Sequence, residues 1–390
     1  MEWVEKKSSE LYVSSSGLSK SSDQFGYGYP FLSYKDVFNN YYAPDKLSTL
    51  VNSTEKDRMK CSVKQGDVFL TRTSETTDEL GMSCVALHDY VNATFNGFTK
   101  RLRPLTDEIE PKYAAYYFRS PYFRSQCISL ASLITRASLN DGMIRRLKIR
   151  YPLNRKVQEK IGEILYTYDT LIENNTKRIR LLEKMAENLY KEWFVRFRFP
   201  GHENVEMENG LPKGWEYVNF SNLSPILTGK KDANYASQNG KYKFFTCSKN
   251  DLVADNYSFD CFAIILAGNG DLNVKLYDGQ FEAYQRTYVL SPYDVEHIYV
   301  SYYTIQSELD RLLVGAAGAV IKFLTKGMIE KIKVLLPTND VLVRFNSIQE
   351  HNYRLRQNLK RQISLLARQR DLLLPRLMSG KLEVKEELLE

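Results

Sequence analysis

Residues 139–154 read LNDGMIRRLKIRYPLN, and residues 324–339 read LTKGMIEKIKVLLPTN. At a constant offset of 185 positions, seven residue identities recur between these stretches, and aliphatic residues are matched at two further positions. Each stretch alternates apolar and polar residues before its proline, which predicts a short β-strand that ends there. Agreement at this level over sixteen positions indicates that the chain is a tandem duplication.

The opening portions of the two halves match more loosely. Trp3 and Gly17 correspond to Trp215 and Gly229 at an offset of 212. Aromatic and β-branched residues alternate there with Gly, Asn and Asp turns, so each portion is predicted to be a mixed, sheet-rich globular domain. Because the side chains diverge while the strand-to-proline segments do not, one framework carries two different surfaces. The matching segments are GYPFLS (28–33) with KYKFFT (241–246), and GDVFLTRT (66–73) with CFAIILAG (261–268).

A long helix is predicted after each proline. In both halves, residues suited to a helix seam recur at steps of three and four, which is the heptad pattern of a coiled coil. The second seam is less pure than the first, and Asn175 in the first is the kind of polar residue that fixes register and partner. The first seam is Ile161, Leu165, Tyr168, Ile172, Asn175, Ile179, Leu182, Ala186 and Leu189, and the second is Phe345, Ile348, Asn352, Leu355, Leu359, Gln362, Leu366, Gln369 and Leu373.

Two heptad helices in one chain most simply pair with each other, although either seam is also suited to packing on a globular core. About 35 helical residues at ~1.5 Å each make a rod of roughly 50 Å. Domains held at opposite ends would stand apart by a distance comparable to one turn of B-DNA, about 34 Å. We therefore predict an α+β fold with a pseudo-twofold internal repeat, in which two sheet-rich domains are separated by two long helices that pair as an antiparallel coiled coil.

Composition limits the class of protein. The 390 residues suggest two or three domains at about 150 residues each, and a hydrophobic fraction of 43% excludes global disorder. The net charge of +7 favours a polyanionic partner only mildly. No apolar run approaches the ~18 residues of a membrane span, and the start MEWVEKKSSE lacks a signal-peptide core, so we expect a cytoplasmic protein. The five scattered cysteines are expected to be reduced thiols.

Motif inspection finds no catalytic centre. The sequence contains no G-x-x-x-x-G-K-[ST] phosphate loop, no H-E-x-x-H pair and no G-x-S-x-G elbow. It also lacks an N-P-P-Y-like tetrapeptide, which an adenine methyltransferase would need to hold the flipped base. The glycine groups at 268–270 and 315–318 are interpreted as ordinary turns. A non-catalytic protein is therefore expected.

Five further stretches, together with the duplication, give the chain a family resemblance. It resembles the specificity (S) subunit of type I restriction–modification systems over essentially its whole length. One departure is the short lead before Trp3. The stretches are KMAENLYKEWFVRFRFPG (184–201), similar to the family's central region, LPKGWEYVNFSNL (211–223), similar to the restart of a recognition domain, FLTRTSETTDELG (69–81) and FEAYQRTYVLSP (281–292), similar to recognition-domain segments, and LARQRDLLLPRLMSGKLEV (366–384), similar to the closing helix.

The resemblance implies a DNA-reading subunit without a catalytic site or cofactor of its own. It would bind double-stranded DNA with a bipartite site and two modification (methyltransferase) subunits that carry S-adenosylmethionine. Restriction (translocase and nuclease) subunits, which use ATP and Mg, would join them, and no membrane is involved. The paired helices would set the gap between the half-sites and dock the modification subunits. The implied regions are a first target-recognition domain (1–151), a central helical spacer (152–199), a second target-recognition domain (200–336) and a C-terminal helical spacer (337–390).

Candidate DNA contacts follow from the chemistry of base reading. Forked donors and acceptors must reach into a groove, with Lys and Arg nearby to hold phosphates. In the first half the candidates are Lys20, Tyr27, Tyr29, Lys35, Arg72, Thr73, Ser74, Lys100, Arg101, Arg103 and Arg136. In the second half they are Lys230, Lys231, Lys241, Lys243, Lys249, Asn269, Tyr284, Gln285, Arg286 and Tyr288.

Two other classes of function stay open at this point. A self-contained DNA methyltransferase or nuclease with unrecognised motifs would modify or cut DNA without added subunits. A coiled-coil spacer protein that does not bind DNA would show no salt-sensitive DNA affinity, whereas a DNA-reading subunit shows a steep salt dependence.

Overall fold

The computed structural model describes residues 2–74, 76, 79–130, 132–133, 137–315 and 323–384. The chain forms two compact units, Met1–Thr176 with Arg361–Glu390, and Lys177–Lys360. Each unit contains one sheet-rich domain together with part of each of two long helices. Within the described ranges, no helix combines the length and the apolar character needed to cross a membrane.

The first half of the chain contains twelve strands and seven helices among the described residues, and the last of these helices is long. The strands are β1 (Trp3–Lys7), β2 (Tyr12–Ser16), β3 (Phe25–Leu32), β4 (Thr49–Val51), β5 (Val68–Thr71), β6 (Thr73–Ser74), β7 (Ser83–Val85), β8 (Thr94–Phe95), β9 (Thr99–Pro104), β10 (Ser132–Leu133), β11 (Ala137–Ser138) and β12 (Lys148–Pro152). The helices are α1 (Ser8–Leu11), α2 (Tyr34–Asn39), α3 (Glu55–Lys60), α4 (Pro111–Tyr117), α5 (Pro121–Leu130), α6 (Asp141–Arg146) and α7 (Arg155–Tyr190).

The second half repeats this plan with fewer elements, and a π-helical turn over Lys191–Val195 precedes it. Its strands are β13 (Met207–Glu208), β14 (Leu211–Pro212), β15 (Glu216–Asn219), β16 (Ile226–Thr228), β17 (Tyr242–Phe245), β18 (Leu252–Ala254), β19 (Phe259–Ala267), β20 (Val274–Ala283), β21 (Thr287–Leu290) and β22 (Lys333–Leu336). Its helices are α8 (Phe220–Leu223), α9 (Ile298–Gly315), α10 (Lys326–Glu330) and α11 (Asn339–Ser379). The long helices α7 and α11 lie inside the predicted regions 152–199 and 337–390.

The strand pairs that open and close each domain confirm the duplication. β1 pairs antiparallel with β12, and β15 pairs antiparallel with β22. Val4 lies opposite Tyr151 in the first pair, and Glu216 lies opposite Leu336 in the second. These positions are related by the offsets of 212 and 185 that the sequence shows. Each proline ends or follows its closing strand, as predicted.

The helix before each closing strand begins at the same kind of cap. The side chain of Asn140 accepts a hydrogen bond from the backbone N–H of Met143, and that of Thr325 accepts one from Met328. Asn and Thr are both favoured at this position because their side-chain oxygens satisfy an N–H that has no partner inside the helix. The repeated segment therefore preserves the start of the helix even where the capping residue changes.

The main sheets of the two domains share their strand order. The first has the order β2-β9-β5-β7, and the second has β16-β21-β19-β20 followed by β17 and β18. In the first domain β3 runs parallel to β8 with Phe31 opposite Thr94, and in the second β17 runs parallel to β20 with Phe244 opposite Glu282. The long strand β20 therefore takes the place of both β7 and β8, and the predicted match of 28–33 with 241–246 is confirmed.

Both long helices begin and end against a domain core. Ile161 and Leu165 of α7 are buried in the core of the first domain with Leu374 and Leu377 of α11. Phe345, near the start of α11, is buried in the core of the second unit. The two interpretations of the seams therefore apply to different parts of the helices, since their ends cover domains and the intervening residues face the other helix.

In the first unit the two helices are joined by polar contacts. The Asn175 side-chain amide donates a hydrogen bond to Oε1 of Gln362 at 3.1 Å. Arg370 forms an ion pair with Asp169, and both side chains are largely buried. The residue numbers on α11 rise as those on α7 fall, so this part of the pair is antiparallel.

The helix pairing in the second unit has the same direction. Nδ2 of Asn352 donates to the Leu182 carbonyl at 3.0 Å, and Nε2 of Gln349 donates to the Ala186 carbonyl at 3.3 Å. Side-chain amides that bond backbone carbonyls specify one register, because a slip leaves buried polar groups without partners. The predicted antiparallel coiled coil is thus confirmed within each unit.

All nine positions of the predicted α7 seam are buried or half-buried. The α11 seam is partly wrong: Ile348 is 43% exposed, and the neighbouring Gln349 is buried instead. Gln369 is exposed as well, and Gln362 is exposed although its Oε1 accepts the hydrogen bond from Asn175. Gln349 can be buried because its Oε1 accepts a hydrogen bond from the Tyr303 hydroxyl at 3.0 Å. The buried or half-buried stripe of α11, with alternating steps of four and three, is Phe345, Gln349, Asn352, Arg356, Leu359, Ile363, Leu366, Arg370, Leu373 and Leu377.

Candidate nucleic-acid interface

Loops converge at one end of the main sheet in the second domain. The backbone N–H of Gln285 donates to the Lys231 carbonyl, that of Tyr284 to Phe245, and that of Gly268 to Arg286, each at 2.9 Å. These bonds tie the loops after β16, β17 and β19 to the β20–β21 turn. We call this group of loops the second loop cluster; it consists of residues 229–231, 246–248, 268–270 and 284–286.

The first domain builds the same arrangement with different residues. The backbone N–H of Gly97 donates to the Leu18 carbonyl at 2.9 Å, that of Asn96 to Leu32 at 3.1 Å, and that of Arg72 to Phe98 at 3.1 Å. Each bond has its counterpart in the second domain. The first loop cluster therefore consists of residues 17–20, 33–35, 72–74 and 96–98.

A glycine is required where the first loop of each cluster begins. A Cβ added at Gly17 would lie 2.3 Å from the Asn96 carbonyl oxygen, and one added at Gly229 would lie 1.9 Å from that of Ala283. Neither backbone oxygen can move without disturbing the turn of Asn96 or the end of β20 at Ala283. The sequence match of Gly17 with Gly229 thus reflects the same close approach of two backbones in both domains.

The second loop cluster brings together six of the predicted residues. Lys230, Gln285 and Arg286 are exposed, and Arg286 has no ion-pair partner among the residues that the structure describes. The Lys231 ammonium lies 4.4 Å from the centroid of the Tyr235 ring. A forked amide, a guanidinium and two ammonium groups at one sheet end are the donors that phosphates and base edges require. The six predicted residues are Lys230, Lys231, Asn269, Tyr284, Gln285 and Arg286.

The predicted residues in the first loop cluster are partly held by neighbours. Lys35 is exposed on α2, while the Lys20 ammonium lies 3.1 Å from the Asp57 carboxylate. Arg72 is half-buried, and its Nε has no hydrogen-bond partner among the described residues. Thr73 accepts a hydrogen bond at its carbonyl from the Tyr34 hydroxyl.

The Ser74 hydroxyl, also in the first cluster, donates to Glu79 at 2.9 Å and is largely buried. The Ser74 hydroxyl therefore stabilises the loop and is not exposed for a contact with DNA.

The basic cluster around Lys100 is a correction to the predicted interface. Lys100 is only 4% exposed, and its ammonium donates to Ser16 at 2.8 Å and to both carboxylate oxygens of Asp141 at 2.9 Å. Burial by itself raises the pKa of Asp141, but hydrogen bonds from Lys100 and Ser14 outweigh it, so that pKa lies below its ordinary value. This lysine holds β2 and β9 to α6.

The two arginines beside it are engaged in the same way. Arg101 donates to the Ser62 carbonyl at 2.6 Å, and Arg103 binds the fully buried Asp67 carboxylate through two bonds of 2.6 and 2.7 Å. The hydrogen bond with Asp67 raises the pKa of Arg103 above its ordinary value. Lys100, Arg101 and Arg103 stabilise the domain, and we remove them from the candidate interface.

Other predicted contacts lie outside the loop clusters. Lys243 binds Asp251 at 2.6 Å, and the Tyr288 hydroxyl donates to the Leu324 carbonyl, so both have structural partners. Tyr27 and Lys241 are exposed toward the ends of β3 and β17 that lie opposite the loop clusters along each strand. The remaining predicted residues are Tyr29, which lies under the Arg58 guanidinium at 3.8 Å, Lys249, which pairs with Asp271 at 3.4 Å, and Arg136, which lies outside the described residues.

One residue of the first cluster was missed. Phe98 is 58% exposed at the tip of the β8–β9 turn, where Arg286 stands in the second domain. An Asn-Gly pair precedes it, and this dipeptide is a strong turn signal. The predicted contacts are hydrogen-bond donors and acceptors, and the Phe98 side chain is neither.

The described part of the chain contains no group of three or more His, Cys, Asp or Glu side chains that could hold a metal ion. The five cysteines are free thiols, and three of them are buried.

Comparison with known proteins points to one family. Residues 2–184 match the model of the type I restriction modification DNA specificity domain. The chain is 25% identical to the type I restriction enzyme MjaIX specificity subunit of Methanocaldococcus jannaschii, over 99% of this chain and 94% of that protein. It is 38% identical to the type I restriction enzyme EcoDI specificity subunit of Escherichia coli, over 33% of this chain and 29% of that protein.

A solved structure has the same fold. The crystal structure of the S subunit of a type I restriction-modification system from M. genitalium superposes with a TM-score of 0.60 and covers 96% of both chains at 15% identity. This likeness concerns the architecture, including two domains and long helices, and not the loop residues.

Proposed function

The chain belongs to the family of specificity subunits of type I restriction–modification systems, and we propose that its two domains each read one half of a bipartite DNA target. The observation that carries this proposal is the pair of loop clusters. They occupy equivalent sheet ends, are held by equivalent backbone hydrogen bonds, and differ in nearly every exposed side chain. Two domains that recognise different half-sites require the same backbone framework with different side chains on the loops.

The paired helices would set the number of unread base pairs between the half-sites. α7 has 36 residues and α11 has 41, so at ~1.5 Å per residue each is more than 50 Å long. The polar seam contacts of Asn175, Gln349 and Asn352 favour one register. Helices held in one register within each unit support a fixed gap.

The same helices would dock two modification subunits. Apolar side chains remain exposed on them, namely Leu171, Leu181, Met185, Val343, Ile348, Leu365 and Leu372. Where exposed apolar side chains lie together on a helix, they favour contact with another protein. In the proposed complex those subunits carry S-adenosylmethionine and methylate adenine, and restriction subunits supply the ATP- and Mg-dependent reactions.

Mapping methylated adenines tests the proposal. The chain is co-expressed with the modification subunit of its own system in a host without other adenine methylation, and genomic DNA is sequenced with base-modification detection. We expect one two-part motif with a fixed unspecified gap. A continuous motif, or methylation that does not depend on the specificity chain, would contradict the proposal.

A binding titration gives a second, independent readout. The complex of this chain with modification subunits should bind duplex carrying the motif with an affinity that falls steeply with salt. The chain alone should transfer no methyl group from labelled S-adenosylmethionine to DNA. Transfer by the chain alone would favour a self-contained methyltransferase instead.

A further inference from the structure

We propose that Phe98 contacts a thymine of the half-site read by the first domain, through its apolar ring and the base's 5-methyl group. This inference rests on the proposed function of the loop clusters. It assigns a different chemistry to each tip: an aromatic ring in the first domain, and the guanidinium of Arg286 in the second.

Phe98 is exposed, and its backbone is held in place. Its backbone N–H donates to the Asn96 side chain at 2.7 Å, and its carbonyl accepts from the backbone N–H of Arg72 at 3.1 Å. The preceding Gly97 is packed so closely that an added Cβ would lie 2.1 Å from the Ser19 hydroxyl oxygen. The backbone of this turn is therefore fixed and carries an exposed ring, so a contact there needs little ordering of the chain.

Phe98 and Arg286 stand at equivalent positions of the two domains. Thr99 donates its backbone N–H to Asn96, and Thr287 donates its own to Tyr284, so both turns close in the same way. The residue before each threonine is therefore at the same place in the frame. In one domain that residue is Phe98 and in the other it is Arg286.

The arginine of each cluster comes from a different loop in each domain. Arg72 bonds the Phe98 carbonyl in the first domain, and the residue that makes this bond in the second domain is Gly268. A Cβ at Gly268 would lie 2.5 Å from the Arg286 carbonyl oxygen, so no side chain fits there. Each cluster thus contains one arginine, from the loop after β5 in the first domain and from the β20–β21 turn in the second.

The chemistry then selects the base. An aromatic ring has no donor or acceptor for a base edge, and the apolar feature that a base pair presents in the major groove is the thymine methyl group. The neighbouring Arg72 would supply the cation that holds the phosphate or a guanine. A ring inserted between base pairs from the minor groove is a different contact, which does not depend on that methyl group.

The first experiment selects binding sites from a randomised duplex library, using the chain in complex with its modification subunits. Wild type should enrich a two-part motif; if it enriches none, the proposed function fails before this inference is reached. Phe98→Ala should lose the preference for thymine at one position of the first half and leave the second half unchanged. A motif identical to that of wild type would overturn the inference.

The second experiment replaces that thymine by uracil, which removes the methyl group alone. Wild type should bind the uracil duplex about fourfold more weakly, the effect of one apolar carbon. Phe98→Ala should bind both duplexes alike, and Phe98→Leu should retain part of the difference. If Phe98→Ala weakens binding while wild type is indifferent to the methyl group, the ring is a wedge and the thymine contact is wrong.

Two controls keep these results specific. Tyr293 is 74% exposed beyond the opposite end of β21, so Tyr293→Ala should change neither half of the motif. Because the Phe98 ring is exposed, Phe98→Ala should leave the melting temperature of the complex unchanged. A melting temperature lowered together with loss of both half-sites would show a structural role and overturn the inference.

Discussion

Replacing Lys100 tests whether the basic cluster of β9 serves the fold or the DNA. Lys100→Met keeps the length of the side chain and removes the ammonium, while Asp141→Asn removes the charge of its partner. If the pair is structural, both substitutions destabilise the strands around it. If Lys100 instead holds a phosphate, Lys100→Met weakens DNA binding and leaves the fold unchanged.

The geometry sets the size of the effect. Two charges 2.9 Å apart attract by roughly 6 kcal/mol at an effective dielectric constant of 20. The Asp141 side chain is half exposed, so solvent screening and the cost of burying Lys100 reduce the net value. We expect Lys100→Met to cost about 1–2 kcal/mol, and Asp141→Asn about 2–3 kcal/mol because it leaves an ammonium buried without its counter-charge. The double variant should cost less than the sum.

Acid should act on the same pair. Because the pKa of Asp141 is lowered in the folded protein, its contribution to stability is present above its unfolded pKa and is lost as the pH falls through its folded value. The loss should appear below about pH 4. Asp141→Asn should remove this part of the acid sensitivity.

Hydrogen exchange measures the change locally, which suits a chain with two units better than a global unfolding curve. The amides of β2 and β9 should exchange faster in both variants, and those of β19 and β21 should not change. Lys35→Met, at an exposed lysine of the same unit, is the matched control. A Lys100→Met variant with normal exchange and a salt slope reduced by about one would refute the structural assignment.

Other substitutions test the interface, the seam and the helix pairing. Arg286→Ala should cost about 1–3 kcal/mol of binding and relax the choice of one base, or weaken all sequences evenly if the contact is a phosphate; unchanged binding in an anisotropy titration removes it from the interface. Phe345→Ala should cost about 3–5 kcal/mol of unfolding free energy, whereas Ile348→Ala should change it by less than about 0.5 kcal/mol, and equal losses would restore the predicted seam. Arg370→Met leaves Asp169 largely buried without its cation and should cost about 3 kcal/mol. Because the Asp169 carboxylate also accepts a hydrogen bond from the Tyr116 hydroxyl of α4, the loss should appear as faster amide exchange in α4, and unchanged exchange there would contradict it.

The repeat made the framework predictable. Seven identities around a shared proline placed two equivalent strands, and other positions of the framework accept only certain residue types. Gly17 and Gly229 face a backbone oxygen, and Asn140 and Thr325 each cap a helix. Constraints of this kind act on single residues, so they leave a visible trace in one sequence.

The errors share a physical cause. Lys100 and Arg103 look like a basic surface because their partners, Asp141 and Asp67, lie 41 and 36 positions away in the chain. Periodicity favoured Ile348 over Gln349 because it scores apolarity and does not see hydrogen bonds from other elements. Long-range ion pairs and the hydrogen bonds of buried side-chain amides depend on the tertiary structure. No local sequence pattern predicts them.

The strands that open and close each domain have an evolutionary consequence. Because β1 lies beside β12 and β15 beside β22, the chain enters and leaves each domain at neighbouring points. The intervening sequence can therefore be replaced as a cassette, provided that the two boundary strands still match. Recombination at these borders would give a descendant a new preference in one step. The strong similarity of residues 139–154 and 324–339 is what such a history would leave behind.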